Sequence, residues 1–332
     1  YNVSCVRWDF RLVQYYVKHG LSMVTNTIIS TSFLGLNLAS PIILLSGCVG
    51  FGNEYSRLEG FSNKDVGGVV LKGTTLEPRM GNKPHRVIET ASGMLNSIGL
   101  QNPGVTEVVE KILPSLEPLE TNYYANVSGS SIKEYVEITK RFDDSLVAGI
   151  ELNISCPNVK KGGMEFGNDP IMTADVVAAC RNATSKPIIT KLSPNQADIK
   201  KSAQACIDSG TDALSVINTI SGMAIDIEKK EAILGNRAGG LSGPAIKPIA
   251  LLKVFDVYTK ASKHNIPILG QGGISSVNDA IEFFLAGSTT IGVGTALFFD
   301  PLICVKINKG VADYLARCGH NSLDEIIGGA HL

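Results

Sequence analysis

From Thr27 onward the chain repeats one pattern, a short apolar run rich in β-branched residues followed by a longer stretch whose apolar positions recur three and four apart. Eight runs have strand character: Pro41–Ser46, Gly68–Lys72, Tyr123–Val127, Gly149–Ile154, Pro187–Leu192, Ala213–Asn218, Pro267–Gly270 and Thr289–Val293. Helical periodicity fills segments such as Ser131–Phe142, Asp169–Thr184, Gln196–Ser209, Lys247–His264 and Ser276–Ala286. Strand-helix alternation predicts an α/β protein with a parallel sheet, and eight units predict closure into a (β/α)8 TIM barrel; an open doubly wound sheet is the runner-up. Two long gaps, Thr74 to Asn122 and Thr219 to Ile266, are expected to hold extra strands or loops over the C-terminal mouth. No low-complexity linker interrupts residues 27–332, which read as a single domain. Residues 1–26 read as an N-terminal extension of unknown role, with Met23 as an alternative start and a short surface helix as an alternative reading. Arg7, Asp9, Arg11 and Lys18 interrupt its apolar residues, so it lacks the core of a membrane span or signal peptide.

The barrel expectation directs attention to strand ends, because active sites of this fold gather at the C-terminal ends of the strands. Polar residues fall there: Ser46 ends the first run and Lys72 the second, Asn126 lies in the third, Asn153 in the fourth and Lys191 in the fifth, and Asn218 ends the sixth. Two lysines embedded in apolar runs point to an anionic or electron-rich ligand, the structural alternative being an ion pair in the barrel mouth. Just beyond the fourth run, Asn153-Ile-Ser-Cys-Pro-Asn158 sets one cysteine between two carboxamides. A thiol there is a candidate general base, and the amides offer donors and acceptors to a planar polar substrate. Ordinary turn chemistry around a buried cysteine is the competing explanation. Gly272-Gly273 and Gly294-Thr295, after the seventh and eighth runs, sit where barrels bind phosphate, and Gly239-Gly-Leu-Ser-Gly243 strengthens that reading. With no Walker sequence and no dinucleotide fingerprint, the phosphate points to a cofactor such as flavin mononucleotide (FMN).

Composition narrows the class. The 332 residues are 44% hydrophobic and 18% charged, with a formal net charge of -1, which suits a large buried core and leaves no basic field for nucleic acid. Seven cysteines without paired spacing or a C-x-x-C argue against a disulfide framework or a cysteine zinc site and fit a cytoplasmic protein; no metal site and no membrane association are expected.

Taken in order, Ser46-Gly-Cys-Val-Gly-Phe-Gly52, Leu71-Lys-Gly-Thr-Thr75, Gly93 to Gly104, Asn153 to Asn158, Lys191-Leu-Ser-Pro-Asn195, Ile217-Asn-Thr219 and Gly239 to Pro244 resemble the dihydroorotate dehydrogenases, FMN enzymes of pyrimidine synthesis. The resemblance spans Phe33 to Cys304. Cysteine at position 156 resembles class 1, and Asn158 to Pro170 resembles the NAD-linked class 1B; fumarate-using class 1A is the near alternative. The resemblance implies that Cys156 removes the C5 proton of dihydroorotate while hydride leaves C6 for the flavin. It implies that Lys72, Asn96, Asn153, Asn158, Asn218 and Thr219, with the backbone of Ser97, Ile98, Gly99 and Leu100, hold the substrate. Ser46, Lys72, Gly73, Asn126, Asn153, Lys191, Ile217, Gly243, Gly272, Gly273, Gly294 and Thr295 would hold FMN. The glycines at 162, 163 and 167 would let the loop after Cys156 open and close, and Cys48 reads as packing. Reoxidation would fall to a partner subunit carrying FAD and an iron-sulfur cluster, in a heterotetramer built on a homodimer of this chain. A dihydropyrimidine dehydrogenase-like subunit and a non-catalytic flavin-binding barrel are the remaining alternatives.

Overall fold

The computed structural model describes residues 28–53, 55–116, 121–154 and 169–331. The eight expected strands are all present, as β3 (Ile42–Leu44), β4 (Gly68–Val70), β7 (Tyr123–Val127), β8 (Gly149–Asn153), β9 (Ile188–Leu192), β10 (Ala213–Val216), β15 (Ile268–Gln271) and β16 (Thr290–Val293). They pair in parallel and close in chain order, β16 returning to β3, so the barrel stands and the open sheet does not. Pro41, Pro187 and Pro267 fall just outside their strands because proline lacks the N–H that ladder pairing needs. Their carbonyls still accept from Ile291, Ile150 and Leu214 of the neighbouring strands.

The helices begin where side-chain oxygens can satisfy the first turn's N–H groups. Ser131 caps α1 (Ile132–Asp143), Asp169 caps α2 (Pro170–Arg181), Asp198 caps α3 (Ile199–Asp208) and Ser276 caps α5 (Val277–Leu285). Pro170, at the first turn of α2, removes a donor that would have no partner there. A helical segment from Val105 to Leu116, with a π-helical middle, follows β4, and α4 (Lys247–Ala261) and α6 (Ile303–Cys318) complete the outer ring, while only short 3-10 turns, Tyr55–Arg57 and Asn63–Asp65, join β3 to β4 among the described residues. No described helix is long and apolar enough to cross a membrane.

Alternation along the strands divides the barrel interior into two levels. Ile43, Val70, Tyr124, Ile189, Ala213 and Leu269 form an apolar cluster with Phe33 and Leu38. The last two belong to a hairpin, β1 (Thr31–Phe33) and β2 (Leu36–Leu38), turned through Leu34 and Gly35 at φ 54° and 78°. Positive φ at both central residues is the hairpin turn whose twist matches the flanking strands. Two residues further along the same strand faces, the side chains are Leu45, Lys72, Asn126, Lys191, Ser215 and Gln271. One step of the pleat therefore converts an apolar plug into a polar floor at the C-terminal mouth.

The two long gaps supply the expected cover. β5 (Val87–Thr90) and β6 (Gly93–Asn96) from the first gap join β11 (Ile220–Met223) and β14 (Ala238–Ser242) from the second in a four-stranded antiparallel sheet, ordered β11-β14-β6-β5, and between β11 and β14 the short strands β12 (Ile225–Asp226) and β13 (Glu231–Ala232) pair with each other. The backbones approach so closely that a Cβ on Gly93 would lie 2.0 Å from the Ser242 oxygen, and one on Gly240 the same distance from Thr219 Oγ1. Glycine is required at both places.

Candidate active site at the barrel mouth

The polar floor is a connected set of buried groups. Asn126 donates its Nδ2 to Glu151 Oε1 at 2.5 Å, and Lys191 Nζ stands 3.6 Å from the same oxygen. Glu151 is fully buried and Lys191 nearly so, with side-chain exposures of 0% and 8%. On the opposite wall, Gln271 donates Nε2 to the Ile217 carbonyl at 2.9 Å. Asn126 Oδ1, Glu151 Oε2, Gln271 Oε1 and Ser215 Oγ are buried with no hydrogen-bond partner among the described residues. Buried acceptors without donors are costly, and two of these residues, Gln271 and Asn126, line the hollows above the floor, which suits a ligand that carries N–H or O–H groups.

Two joined hollows open above this floor. One is lined by Ser46, Lys191, Ile217, Gln271, Gly243, Gly272, Gly273, Gly294 and Thr295. The other is lined by Lys72, Gly73, Asn126, Asn153 and the segment Ser97–Leu100. Ser46, Asn96, Ile98, Lys191, Asn218 and Thr219 border both. Every described residue assigned to substrate or cofactor from the sequence therefore lines one mouth. Cys156, Asn158 and the glycines at 162, 163 and 167 lie outside the described residues, as does the extension 1–26.

The first hollow ends in a bare backbone cradle. Gly243, Gly272 and Gly273 have φ of 90°, 132° and 81°, and a Cβ on Gly273 would lie 2.7 Å from the Gly243 oxygen. Thr295 follows Gly294 at the start of the short helix Thr295–Phe298 and donates its hydroxyl to Ser242 Oγ at 2.8 Å. Exposed amides without side chains suit phosphate oxygens. Beside the cradle, Lys247 is committed to Asp279 and Glu282, each at 2.7 Å, and the link to Asp279 raises its pKa. The structure divides the run Gly239 to Gly243: Gly243 joins the cradle, whereas Gly239 and Gly240 lie within β14 beside Asn96 and Thr219.

In the second hollow, Asn218 Nδ2 donates to Asn153 Oδ1 at 3.1 Å, and Asn218 Oδ1 receives the Thr219 amide at 2.8 Å. Tyr135 donates its hydroxyl to the Asn153 carbonyl at 2.8 Å, anchoring the end of β8 to α1. Asn96 Nδ2 faces the Gly240 carbonyl at 3.3 Å. Burial holds the Lys72 amine below the usual lysine range, opposed by nearby Cys48. Burial likewise pushes the Cys48 thiol up to about 11, against the pull of Lys191 and Lys72. A thiol so hard to ionise is no nucleophile at neutral pH, in agreement with a packing role.

Glu151, Gln271 and Asn102 were not singled out in the sequence. A charged residue inside Gly149-Ile-Glu-Leu-Asn153 was the available signal for Glu151, since it shares a strand face with Asn153. Gln271 sat at the edge of its run, and only the barrel's closure turns it inward beside Ile217. Asn195 ties the loop after β9 to the cover sheet, accepting from the Ser221 amide at 3.0 Å and donating to the Thr219 carbonyl at 3.1 Å.

Comparison with known proteins agrees with this geometry. The family model for dihydroorotate dehydrogenase matches residues 28–315. The chain is 47% identical over 298 residues to a protein of Desulforamulus reducens, covering 90% of this chain and 96% of that one. It is 48% identical over 295 residues to a Bacillus pumilus protein, covering 89% and 94%. A Phocaeicola vulgatus protein is 47% identical over 302 residues, covering 90% and 98%. Each of the three is named dihydroorotate dehydrogenase B (NAD(+)), catalytic subunit.

Proposed function

The chain belongs to the dihydroorotate dehydrogenase family, and on that premise we propose that it is the catalytic subunit of an NAD-linked enzyme oxidising (S)-dihydroorotate to orotate in pyrimidine (UMP) biosynthesis. The observation that carries the reading is the pair of joined hollows: a cradle of bare amides at one end, a cluster of carboxamides at the other and a lysine between them. The donor-seeking oxygens of Asn126 and Gln271 fit a flat heterocycle with N–H groups, and the glycine cradle fits its phosphate, so the residues present suit FMN. When bound, FMN supplies the acceptor for the hydride.

The chain's own residues do the rest. Asn96, Asn153, Asn158 and Asn218 hydrogen-bond the pyrimidine ring and its carboxylate, with Thr219 beside them and the backbone of Ser97–Leu100 helping. Lys72 serves both ligands. Lys191, held by Glu151 at the floor, places positive charge where negative charge develops on the flavin. Cys156 removes the C5 proton. An ordinary thiol, with a pKa of about 8.5, is mostly protonated at neutral pH, so flavin reduction should speed up as pH rises.

We place electron exit in a separate subunit, in keeping with the relatives' designation as catalytic subunits. That subunit would hold FAD and an iron-sulfur cluster, two copies of each chain forming the complex. Residues 27–332 form one domain in this reading. A cytoplasmic setting accords with five cysteines left free among the described residues, at 48, 180, 206, 304 and 318.

The test is anaerobic. The FMN-loaded chain is mixed with dihydroorotate, the visible flavin band is followed, and NAD or fumarate is then added separately. Bleaching by dihydroorotate, with no recolouring by either acceptor until the partner subunit is supplied with NAD, is expected. Cys156→Ala should keep the flavin and abolish bleaching. Recolouring by fumarate alone would move the assignment to class 1A, and no bleaching of a flavin-loaded chain would move it to a uracil-type substrate.

A further inference from the structure

Asn102 is a buried amide behind the substrate end of the mouth whose four hydrogen-bonding positions are all used within the chain. Its Oδ1 accepts from the Thr75 amide at 3.2 Å and the Gly104 amide at 2.8 Å. Its Nδ2 donates to Thr75 Oγ1 at 2.8 Å and to the Leu100 carbonyl at 2.7 Å. An asparagine side chain offers two donors and a two-lone-pair acceptor, so this amide is saturated. Its backbone is fixed as well, exchanging hydrogen bonds with Arg79 at 2.9 and 3.0 Å.

The groups it joins belong to different parts of the site. Thr75 follows the strand end bearing Lys72 and Gly73, and the adjacent Thr74 is bonded through its amide to the Asn126 carbonyl at 2.8 Å. Leu100 closes the loop Ser97–Leu100, which lines the hollow facing Asn153 and Asn218. That loop does not hold its shape by local preference. Gly99 and Leu100 have φ of 76° and 55°, and leucine rarely occupies the left-handed region without an external restraint. At its other end Asn82 donates to the Ser97 carbonyl and Ser97 Oγ at 3.1 and 2.9 Å. The Leu100 carbonyl is the corresponding anchor, and Asn102 is what holds it.

We infer that Asn102 is a positioning residue for substrate: it locks the Ser97–Leu100 loop in register with the strand end carrying Lys72, so that the loop backbone keeps its place in the hollow that Asn153 and Asn218 also line. Asn102 lines neither hollow. The inference rests on the proposed dihydroorotate reading.

The experiment titrates the FMN-loaded protein with orotate, following the flavin band, and separately measures FMN affinity and thermal unfolding. Asn102→Asp keeps the shape and both acceptor contacts but removes the donor to Leu100 and sets a carboxylate against that carbonyl. Thr75 Oγ1 cannot compensate, because its proton goes to the Glu77 carbonyl at 2.6 Å. Orotate dissociation is expected to weaken at least tenfold while FMN affinity stays within about twofold, since the phosphate cradle is built from other segments. A lowered melting temperature with an unchanged orotate constant would overturn the inference and leave Asn102 merely structural. If Asn102→Asp does not fold, Thr75→Val is measured instead; it removes one of the two acceptors of the Asn102 amide and should weaken orotate at least twofold, and an unchanged constant would overturn the inference. A wild-type protein that binds FMN yet shows no orotate response would instead sink the proposed function, so the two failures are distinguishable.

Discussion

Replacing Glu151 with glutamine preserves the size of the side chain and removes one charge, leaving the Lys191 ammonium buried at the floor without its counter-ion. The separation of 3.6 Å and the near-complete burial of both side chains set the scale. At an effective dielectric of about 20, Coulomb attraction across that distance is about 4.6 kcal/mol. Breaking a buried pair by removing one partner typically costs about 3–5 kcal/mol, because the survivor stays desolvated and uncompensated. Asn126 keeps an acceptor in the glutamine carbonyl, so the hydrogen bond at that side of Glu151 contributes little to the difference. An unfolding entropy of about 2.1 cal/mol/K per residue amounts to about 0.7 kcal/mol/K for 332 residues, so a drop of about 4–7 °C is expected. The assay is calorimetry of the FMN-loaded protein at fixed free FMN, repeated at low and high salt. Burial shields the pair from counter-ions, so the loss should persist in high salt. The exposed pair Lys111–Glu107 provides the contrast, and Glu107→Gln should leave the transition unmoved. A Glu151→Gln protein melting within about 2 °C of wild type would refute the reasoning.

Gly240→Ala would push a methyl group to 2.0 Å from Thr219 Oγ1, at the seam between the cover sheet and the end of β10. Such overpacking costs about 1–3 kcal/mol, and orotate affinity should fall with it; titration showing wild-type affinity would contradict the close approach. Cys48, with its thiol raised to about 11, should resist iodoacetamide at pH 8 while exposed Cys318 is modified, which peptide mass mapping can read. Equal labelling of the two would be inconsistent with a thiol so hard to ionise. The sign for stability follows: an unfolded cysteine ionises near 9.0 and the folded one near 11, so rising pH across that interval favours the unfolded chain.

Much of the barrel was legible in the chain because strand and helix periods differ and because proline and glycine punctuate the boundaries. All eight strands lie where the apolar runs place them, and the strand-end polar residues, from Ser46 to Thr295, converge on one mouth because parallel strands point the same way. What periodicity could not supply was partnership across distance. The hydrogen bond from Asn96 to Gly240 spans 144 residues, and nothing local to either gap specifies that β6 and β14 pair into one cover sheet. The burial of Glu151 beside Lys191 has the same character, since a carboxylate in an apolar strand is equally compatible with either face until the barrel closes. Asn102 shows the limit most clearly: its composition reads as a turn residue before Pro103, and only the folded chain brings Thr75 and Leu100 to its two ends. Local sequence thus determined the elements and the chemistry each strand end carries, through backbone preference and alternation. Tertiary structure alone decided which of those groups share a proton, a charge or a backbone anchor, because such contacts depend on closure between segments that no local pattern relates.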